Sequence, residues 1–517
     1  MKEIRILWTD DEIDLLKPYI LFLEEKGYSV STANNGEEAL ELVRDEPFNL
    51  IFLDENMPGL SGLETLDRIK DITPSVPVVM ITKSEEENIM DEAIGSKIAD
   101  YLIKPVNPKQ ILLTIKKNID HKRLISQKTT SAYQVQFSQI GMLINSAHSF
   151  EEWVEVYRKL VFWEHELENL DESGMNEVLA MQWSDANTGF MKFIKSSYTE
   201  WFGSESEQRP PMSPQIFPKY VFPLLEKNNV VVILIDNLRY DQWKLIEQQI
   251  NQFFRVEEEH LFCSILPTAT QYARNAMFAG LMPADIKKLM PEYWLDDEEE
   301  GGKNMHEEAL CRAQLQREGI ANSFHYEKIS SQKHGKRIVE NFSDLANFDL
   351  NVLVYNFVDM LSHARTEMNV IKELAYDDRS YRSLTLSWFN NSYLLEVIKL
   401  ISENNMHLVL TTDHGAVRVN NPIKVIGDKK TSANLRYKQG RNLNYQLKEV
   451  FEVTDPGKIH LPKSNVSSSY IFAGSNDFMV YQNNYNHFVN HFKNTFQHGG
   501  ISLEEMIIPC AILSPIS

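Results

Sequence analysis

The stretch VVVILIDNLRYDQW, residues 230–243, decides the fold of the larger part of this chain. Its apolar run is continuous, as in a strand buried on both faces of a parallel sheet, and it ends in Asp236. Two later segments repeat the pattern: NVLVYNFVDMLSHA (351–364) leads to Asp359, and HLVLTTDHG (407–415) contains Asp413 and His414. Three strands that each deliver a carboxylate predict an α/β sheet with an acidic edge.

Two further histidines extend this set toward a metal site. Asp359 and His363 are four residues apart, so a short helix would place both on one face. His498 lies in QHGG (497–500), just before the apolar strand pattern IIPCAIL (507–513). A mixed Asp/His ligand set favours Zn²⁺ or Mn²⁺ over Mg²⁺ or Ca²⁺. Taken singly, each aspartate could cap a helix and each histidine could be structural, but their joint occurrence favours metal binding.

A candidate nucleophile lies in PTATQYARNAMFAG (267–280), which places Thr268 and Thr270 before a predicted helix. A helix N-terminus favours an anionic phosphoryl group. Two metals beside a hydroxyl would suit phosphoryl transfer. Thr268 as a simple helix cap is the alternative interpretation.

The first 122 residues alternate strand and helix patterns, which predicts a doubly wound α/β sheet. The strand patterns are IRILW (4–8), LIFL (50–53), VPVVMI (76–81) and YLI (101–103). Polar residues follow them at Asp10, Asp11, Asp54, Thr82 and Lys104. Three carboxylates that converge at one sheet edge would repel one another unless they held a cation, and oxygen ligands suit Mg²⁺.

Length and charge limit the remaining choices. A chain of 517 residues is expected to form about three domains. We place them at 1–122 (α/β sheet), 123–205 (helical bundle connector, free of proline) and 206–517 (α/β, beginning with the proline-rich linker 208–218). The net charge of −21 argues against duplex DNA binding. The N-terminus lacks a signal peptide pattern and no apolar run reaches a membrane span, so we expect a cytoplasmic protein.

The segments TDDE, LDENMPGLSG, ITKSEE and ADYLIKPV resemble the receiver domains of two-component response regulators, which have a CheY-like fold. The resemblance implies that Asp54 accepts a phosphoryl group from a sensor histidine kinase. It also implies the remaining roles: Mg²⁺ ligation by Asp10, Asp11, Asp54 and the main chain at Asn56, and switching by Thr82, Tyr101 and Lys104. Such receivers commonly dimerise, so we expect a phosphorylation-promoted homodimer. A metal-free receiver used only for docking is the alternative.

Residues 220–517 are similar in motif order and spacing to the alkaline-phosphatase superfamily, which includes the PglZ domain group. The resemblance implies one metal on Asp359, His363 and His498, and another on Asp236, Thr270, Asp413 and His414. It favours Thr270 as nucleophile, because the spacing from Thr270 to Gly280 matches the family. A threonine nucleophile favours the phosphodiesterase branch. The sequence shows no counterpart of a phosphate-clamping arginine.

The whole order, receiver, connector and PglZ domain, resembles the PorX-type response regulators tied to type IX secretion and gliding. It implies a phosphorylation-controlled, zinc-dependent phosphodiesterase acting on nucleotides or short oligonucleotides. The alternative is a non-catalytic regulator whose metal-bound domain binds proteins such as a sigma factor or secretion components. The basic segments 331–337 and 423–441 are candidates for substrate contact, with Lys438 and Arg441 foremost. The acidic run LDDEEE (295–300) is interpreted as a solvated loop.

Overall fold

The computed structural model describes residues 4–74, 76–83, 98–168, 173–203, 208–297, 299, 301–427, 431–463 and 468–516. The chain divides into two compact units, residues 1–134 and 135–517. Each unit has its own sheet, and each is described by itself.

The first unit is a five-stranded parallel sheet in the order β2–β1–β3–β4–β5. This confirms the doubly wound fold, and each of the four quoted strand patterns falls on a strand. Residues 84–97, where the alternation predicts a further helix, lie outside the described residues. The elements are β1 (Ile4–Thr9), α1 (Lys17–Glu25), β2 (Tyr28–Ala33), α2 (Gly36–Asp45), β3 (Leu50–Asp54), α3 (Gly62–Ile72), β4 (Val78–Thr82), β5 (Asp100–Ile103) and α4 (Pro108–Ile115).

The loop after β3 places the candidate phosphoryl acceptor. Strand β3 is buried along its whole length up to Asp54. Helix α3 begins with a capping box, in which Ser61 and Glu64 satisfy each other's backbone N–H groups. A Cβ on Gly62 would lie 2.3 Å from the main-chain oxygen of Asp54. Only glycine therefore permits α3 to begin this close to the end of β3.

Three long helices form the connector: α5 (His121–Ser146), α6 (Phe150–Glu168) and α7 (Ser173–Ser197), which confirms the helical prediction. The segment SFEEW begins α6 as expected, since the backbone N–H of Glu152 donates to Ser149 Oγ at 3.3 Å. Trp153 and Trp201 are buried. The ring of Trp153 packs edge-on against Phe190, with centroids 5.7 Å apart.

A six-stranded sheet forms the centre of the second unit, in the order β7–β18–β10–β6–β9–β8. Strand β18 runs antiparallel to β7 and β10, whereas β10, β6, β9 and β8 are mutually parallel. The three strand patterns that end in aspartate are thus the neighbours β10, β6 and β9. The strands are β6 (Val230–Ile235), β7 (Phe254–Cys263), β8 (Phe324–Ile329), β9 (Leu350–Tyr355), β10 (His407–Thr411) and β18 (Ile507–Pro515).

Between β10 and β18 the chain forms three small sheets. They contain β11 (Val417–Arg418), β12 (Asn421–Val425), β13 (Tyr437–Gly440), β14 (Val450–Val453), β15 (Ser469–Ala473), β16 (Asp477–Tyr481) and β17 (Phe496–Gln497). Strand β12 pairs with β16, and β15 lies between β13 and β14. Strand β11 pairs antiparallel with β17, with Val417 opposite Gln497. This pairing brings His498 beside the loop that carries His414.

Helices pack around the central sheet. They are α8 (Tyr240–Ile250), α9 (Thr270–Ala279), α10 (Pro283–Leu289), α11 (Glu307–Arg317), α12 (Gln332–Glu340), α13 (Phe342–Leu345), α14 (Phe357–Glu367), α15 (Asn369–Leu374), α16 (Asp378–Asn390), α17 (Tyr393–Glu403), α18 (Tyr485–Phe492) and α19 (Leu503–Met506). Within the described part of the chain, none of the helices has the length and apolar character needed to span a bilayer.

Candidate metal centre and phosphoryl-transfer site

The parallel strands β6 and β10 deliver the first group of candidate ligands. Leu234 pairs with Thr411, so the residues that follow both strands emerge at one edge of the sheet. Asp236, Asp413 and His414 each offer a ligand atom there, and these atoms lie within 4.8 Å of one another. The structure thus brings together three of the four residues assigned to one metal by resemblance.

The second group is Asp359, His363 and His498, again with ligand atoms within 4.8 Å of one another. Helix α14 places the first two on one face, with 3.5 Å between Asp359 Oδ2 and His363 Nε2. His498, just beyond β17, lies with its Nε2 3.6 Å from Asp359 Oδ1. These three residues are the set that the resemblance assigns to the other metal.

Asn237 links the two groups, and no sequence pattern predicted this role. Its backbone N–H donates to Asp413 Oδ1 at 3.4 Å, and its side-chain amide donates to Asp359 Oδ1 at 3.3 Å. The backbone at Asn237 is left-handed, with φ of 66°, a conformation that asparagine tolerates better than most residues. The imidazole rings of His414 and His498 also stack between the groups, with centroids 4.3 Å apart.

The electrostatics of the site fit divalent cations. Burial, together with the carboxylates of Asp413 and Asp359, raises the pKa of Asp236 well above its usual range. Burial and the neighbouring His414 lower the pKa of His498 to about 3, so this imidazole is neutral and can act as a ligand. The side chain of His363 is 62% exposed, so solvent reaches the second group. A bound cation would offset the concentrated buried negative charge.

Thr270 lies against the first group. Helix α9 begins at Thr270, and the hydroxyl of this residue is 3.2 Å from His414 Nε2 and 3.5 Å from Asp236 Oδ1. The side chain is only partly buried. A hydroxyl at a helix N-terminus beside candidate metal ligands has the placement of a nucleophile.

Thr268 occupies a different position from the helix cap considered above. The residue before α9 is Ala269, so Thr268 does not cap the helix. The fully buried Thr268 hydroxyl donates to the main-chain oxygen of Gly500 at 2.9 Å and accepts from the N–H of Gly499 at 3.0 Å. Thr268 therefore holds the loop that follows His498.

A buried ion pair, which no sequence pattern predicted, supports the same loop. Glu505 Oε1 accepts from the N–H of Gly500 at 2.9 Å and from Arg436 Nε at 3.2 Å. The Arg436 and Glu505 side chains are fully buried. Their role depends on tertiary contacts across 69 residues, which no local pattern reveals.

Arg274 is the arginine of the site, and its surroundings exclude a simple substrate clamp. It is fully buried and ion-paired to Asp236, with Nε 3.0 Å from Asp413 Oδ2 and Nη1 3.2 Å from Glu307 Oε1. All its partners are carboxylates of this chain. The sequence feature that could have pointed to Arg274 is its position four residues after Thr270 on α9.

The structure does not support Lys438 as a substrate contact. Its side chain is buried, and its Nζ donates to the Ser432 main-chain oxygen at 3.0 Å and lies 4.4 Å from the ring centroid of Tyr481. Burial lowers the pKa of Lys438 to about 7. Arg441 is exposed just beyond β13, and its role as a substrate contact stays a prediction. Residues 428–430 of this basic segment lie outside the described residues.

The acidic run at 295–300 is not simply a solvated loop. The Tyr437 hydroxyl donates to Asp297 Oδ2 at 3.0 Å, and burial raises the pKa of Asp297. Residues 298 and 300 lie outside the described residues. In the basic segment 331–337, His334 and Arg337 both contact Glu327 on β8.

In the first unit, Asp10, Asp11 and Asp54 offer ligand atoms within 4.8 Å of one another. Lys104 Nζ lies 2.9 Å from both Asp10 Oδ2 and Asp54 Oδ1, and burial raises the pKa of Asp54. The remaining candidates surround this cluster in different ways: the Thr82 hydroxyl contacts Glu55, Tyr101 is 41% exposed and Asn56 is exposed.

Fold and sites together define a response regulator with an alkaline phosphatase-like output unit. A family model described as response regulator receiver domain matches residues 6–116, and one described as PorX response regulator linker domain matches residues 123–202. The chain belongs to the family described as BREX system PglZ alkaline phosphatase-like domain, whose model matches residues 216–512. The combination is the PorX-type architecture of receiver, linker and PglZ domain.

Individual relatives match the receiver part of the chain. Transcriptional regulatory protein ZraR of Klebsiella oxytoca is 36% identical over 140 residues, which are 27% of this chain and 32% of that protein. The CpxR homolog of Haemophilus influenzae is 31% identical over 165 residues, 32% of this chain and 70% of the relative. The chain thus spans about a third of the first curated relatives.

Among solved structures, a receiver domain protein from Methanospirillum hungatei JF-1 is 30% identical. It covers 23% of this chain and 96% of its own, with a TM-score of 0.23. A receiver domain implies a phosphodonor such as a sensor kinase.

Proposed function

We propose that the second unit is a zinc-dependent phosphodiesterase for nucleotides or short oligonucleotides, controlled by phosphorylation of Asp54. One observation carries the proposal. The hydroxyl of Thr270 lies at the N-terminus of α9, 3.2 Å from His414 Nε2, beside two groups of candidate metal ligands. A nucleophile, an anion-favouring helix end and two cation sites in one place suit phosphoryl transfer.

The two ligand groups indicate which residues would hold each metal ion. Asp359, His363 and His498 would hold one Zn²⁺; Asp236, Asp413 and His414, with Thr270, would hold the other, and Mn²⁺ would suit the same donors. When bound, such ions polarise a phosphoryl oxygen and stabilise the departing oxygen. In the proposed reaction Thr270 Oγ1 attacks phosphorus and the P–O bond to the leaving alcohol breaks, so that Thr270 and the rest of the substrate are joined in a phosphodiester. Water then cleaves the bond between Thr270 Oγ1 and phosphorus and releases a phosphomonoester. Asp236 Oδ1 accepts the hydrogen bond of the Thr270 hydroxyl at 3.5 Å and can take its proton.

The contacts of Arg274 favour a phosphodiester over a phosphomonoester as the substrate. Its guanidinium faces three carboxylates of this chain: Nε donates to Asp413, Nη1 donates to Glu307, and Nη2 forms an ion pair with Asp236. A monoester at neutral pH carries about one more negative charge than a diester. Since Arg274 is not turned toward a substrate, the site lacks this source of compensation for that additional charge.

The first unit supplies the control in this proposal. A sensor histidine kinase phosphorylates Asp54, which lies against Lys104 and beside the candidate Mg²⁺ ligands Asp10 and Asp11. The added charge biases the receiver toward a homodimer. Light scattering with and without a beryllofluoride phosphoryl mimic measures this, and equal masses in both states would contradict it. The PorX-type architecture extends the proposal to the control of type IX secretion and gliding.

The decisive experiment compares Thr270→Ala with Thr270→Ser and Thr268→Ser on a chromogenic phosphodiester. Thr270→Ala should lower turnover by at least about a thousandfold, because the nucleophile is lost. Zinc content should stay at two ions, since the other ligands are untouched. Both serine variants keep a hydroxyl and should retain measurable turnover. Full activity in Thr270→Ala would contradict the assignment, and two bound zinc ions with no turnover of any ester by the wild type would favour the non-catalytic regulator.

A further inference from the structure

Arg274 lies inside the candidate metal centre as a cation built into the chain. Its side chain has no exposed surface, and the carboxylates of Asp236, Asp413 and Glu307 surround it. The contact distances are 3.0 Å to Asp413 Oδ2 and 3.2 Å to Glu307 Oε1, and the pair with Asp236 is closer still. One guanidinium therefore faces three buried acidic side chains.

In both Asp236 and Asp413, two of the candidate metal ligands, Arg274 contacts one carboxylate oxygen and not the other. Arg274 forms an ion pair with Asp236 Oδ2. The other oxygen, Asp236 Oδ1, lies 3.5 Å from the Thr270 hydroxyl and 3.8 Å from His414 Nε2. Arg274 also takes Asp413 Oδ2, whereas Asp413 Oδ1 accepts from the N–H of Asn237 at 3.4 Å. Arg274 thus contacts one oxygen of each of the two carboxylates. It also follows Thr270 by one helical turn, so α9 carries nucleophile and cation on one face.

Glu307 contacts a different nitrogen of the Arg274 guanidinium, Nη1. This carboxylate is itself buried and accepts from Asn304 Nδ2 at 3.1 Å and from Lys328 Nζ at 3.2 Å, in addition to the Tyr326 hydroxyl. With so many donors, the Glu307 side chain has little rotational freedom. Arg274 is therefore held at both ends of its guanidinium.

We propose that Arg274 is a positioning residue, which orients Asp236 and Asp413 for the cation that they bind with His414 and Thr270, and that Glu307 holds Arg274 in place. The role depends on the fork geometry of the guanidinium, because a lysine ammonium supplies charge without several fixed N–H directions. The inference rests on the proposed function only in that this ligand group takes a metal ion.

The test is a zinc titration of the metal-stripped full chain, with a competing fluorescent chelator. We expect wild type to bind two Zn²⁺. Arg274→Lys should weaken one of the two sites by about 10- to 100-fold, the usual effect of losing a residue that orients metal ligands. The other site, on Asp359, His363 and His498, should keep its affinity. Glu307→Gln should weaken the same single site, by a smaller factor.

Arg382→Lys is the matched control. Arg382 is also a buried arginine that contacts three carboxylates, with its guanidinium nitrogens 2.9 Å from Glu164, 2.6 Å from Glu168 and 2.9 Å from Asp241. None of these residues belongs to either ligand group. Arg382→Lys should lower the melting temperature as Arg274→Lys does, with both zinc affinities unchanged. A change that reflects general loss of packing would appear in both variants.

Three results would overturn the inference. If Arg274→Lys binds Zn²⁺ with the same affinities as wild type, or if wild type takes up no Zn²⁺, Arg274 does not orient the ligands of a metal ion. Tighter binding in Arg274→Lys would instead mean that the guanidinium competes with the ion. Ester turnover is measured separately. A wild type that binds two zinc ions but hydrolyses no ester would refute the proposed function. The zinc titration would still decide the role of Arg274.

Discussion

The hydroxyls of Thr268 and Thr270 lie two residues apart and have different partners. Thr268 binds the main chain at Gly499 and Gly500, and His498 Nδ1 lies 3.2 Å from the Thr268 main-chain oxygen. Thr270 faces Asp236 and His414. Thr268 therefore shapes the loop of a candidate metal ligand, whereas Thr270 lies among the candidate ligands themselves.

Thr268→Val should destabilise the second unit by about 1–3 kcal/mol. Valine keeps the shape of threonine but leaves the N–H of Gly499 and the main-chain oxygen of Gly500 without their buried partner. Thermal unfolding measures the effect, and zinc titration should show weaker binding at the site of His498. Thr268→Ser keeps the hydroxyl and should lose much less stability. Equal melting temperatures for the valine and serine variants would contradict this role.

Glu504 predicts a pH dependence of stability. It lines a cavity of about 930 Å³ beside Asn187, whose side-chain amide contacts the Glu504 carboxyl at 3.1 Å. Burial raises the pKa of Glu504 from 4.5 to about 7. Between these values the folded chain retains a proton that the unfolded chain has lost, so wild type loses stability as pH rises through this window.

Glu504→Gln cannot ionise and should remove this loss. As pH is raised from about 5 to about 7.5, the free energy of unfolding of the variant should rise by on the order of 1–2 kcal/mol relative to that of wild type. Denaturant unfolding at several pH values across that range gives the comparison. Glu151→Gln, which removes the same charge from an exposed helix position, is the control. Parallel stability curves for wild type and Glu504→Gln would exclude the effect.

Among single residues, the sequence predicted those that follow strands or form short motifs. Asp236, Asp413 and His414 could be found because each lies at the end of an apolar run. Arg274 and Glu505 could not, since their roles come from partners that are 33 to 139 residues away. The burial of Lys438 could not be predicted from its basic segment, because β13 is buried along its whole length by tertiary packing.

At the scale of elements, the pair α6 and α7 shows how closely the connector is packed. A Cβ on Gly189 of α7 would lie 2.7 Å from Cη2 of Trp153 on α6. The helices therefore approach each other at a position where any larger side chain forces the indole ring to move. The periodicity of the sequence predicted the helices but not this approach, because it depends on which faces meet.

Gly189→Ala should destabilise the connector by about 1–3 kcal/mol through overpacking. The direction of this change in stability is informative, because alanine intrinsically favours a helix over glycine by about 1 kcal/mol. Gly141→Ala in α5 is the matched substitution, since a Cβ there meets nothing within 4 Å, and it should be neutral or stabilising. Thermal unfolding of both variants decides the matter. A stabilised Gly189→Ala would show that Trp153 relaxes freely.

At the scale of the whole molecule, the two compact units have separate sheets, separate cores and separate candidate metal sites. The alternating pattern of the first 122 residues and the buried strand patterns of the last domain predicted both sheets. The domain boundaries at 122 and 205 stay a prediction. Strand order could not be derived from the sequence, because the antiparallel insertion of β18 between β7 and β10 is a long-range pairing.

Because the units have separate cores, calorimetry should resolve two unfolding transitions that respond to different ions. Mg²⁺ should raise only the transition of the first unit, through Asp10, Asp11 and Asp54, and Zn²⁺ only that of the second. An ion at about 100 times its Kd stabilises the unit that binds it by about 2.7 kcal/mol. Asp11→Asn should remove the Mg²⁺ response and leave the Zn²⁺ response intact, whereas His363→Ala should weaken only the Zn²⁺ response. A single transition, or one that both ions raise, would mean that the units do not unfold independently.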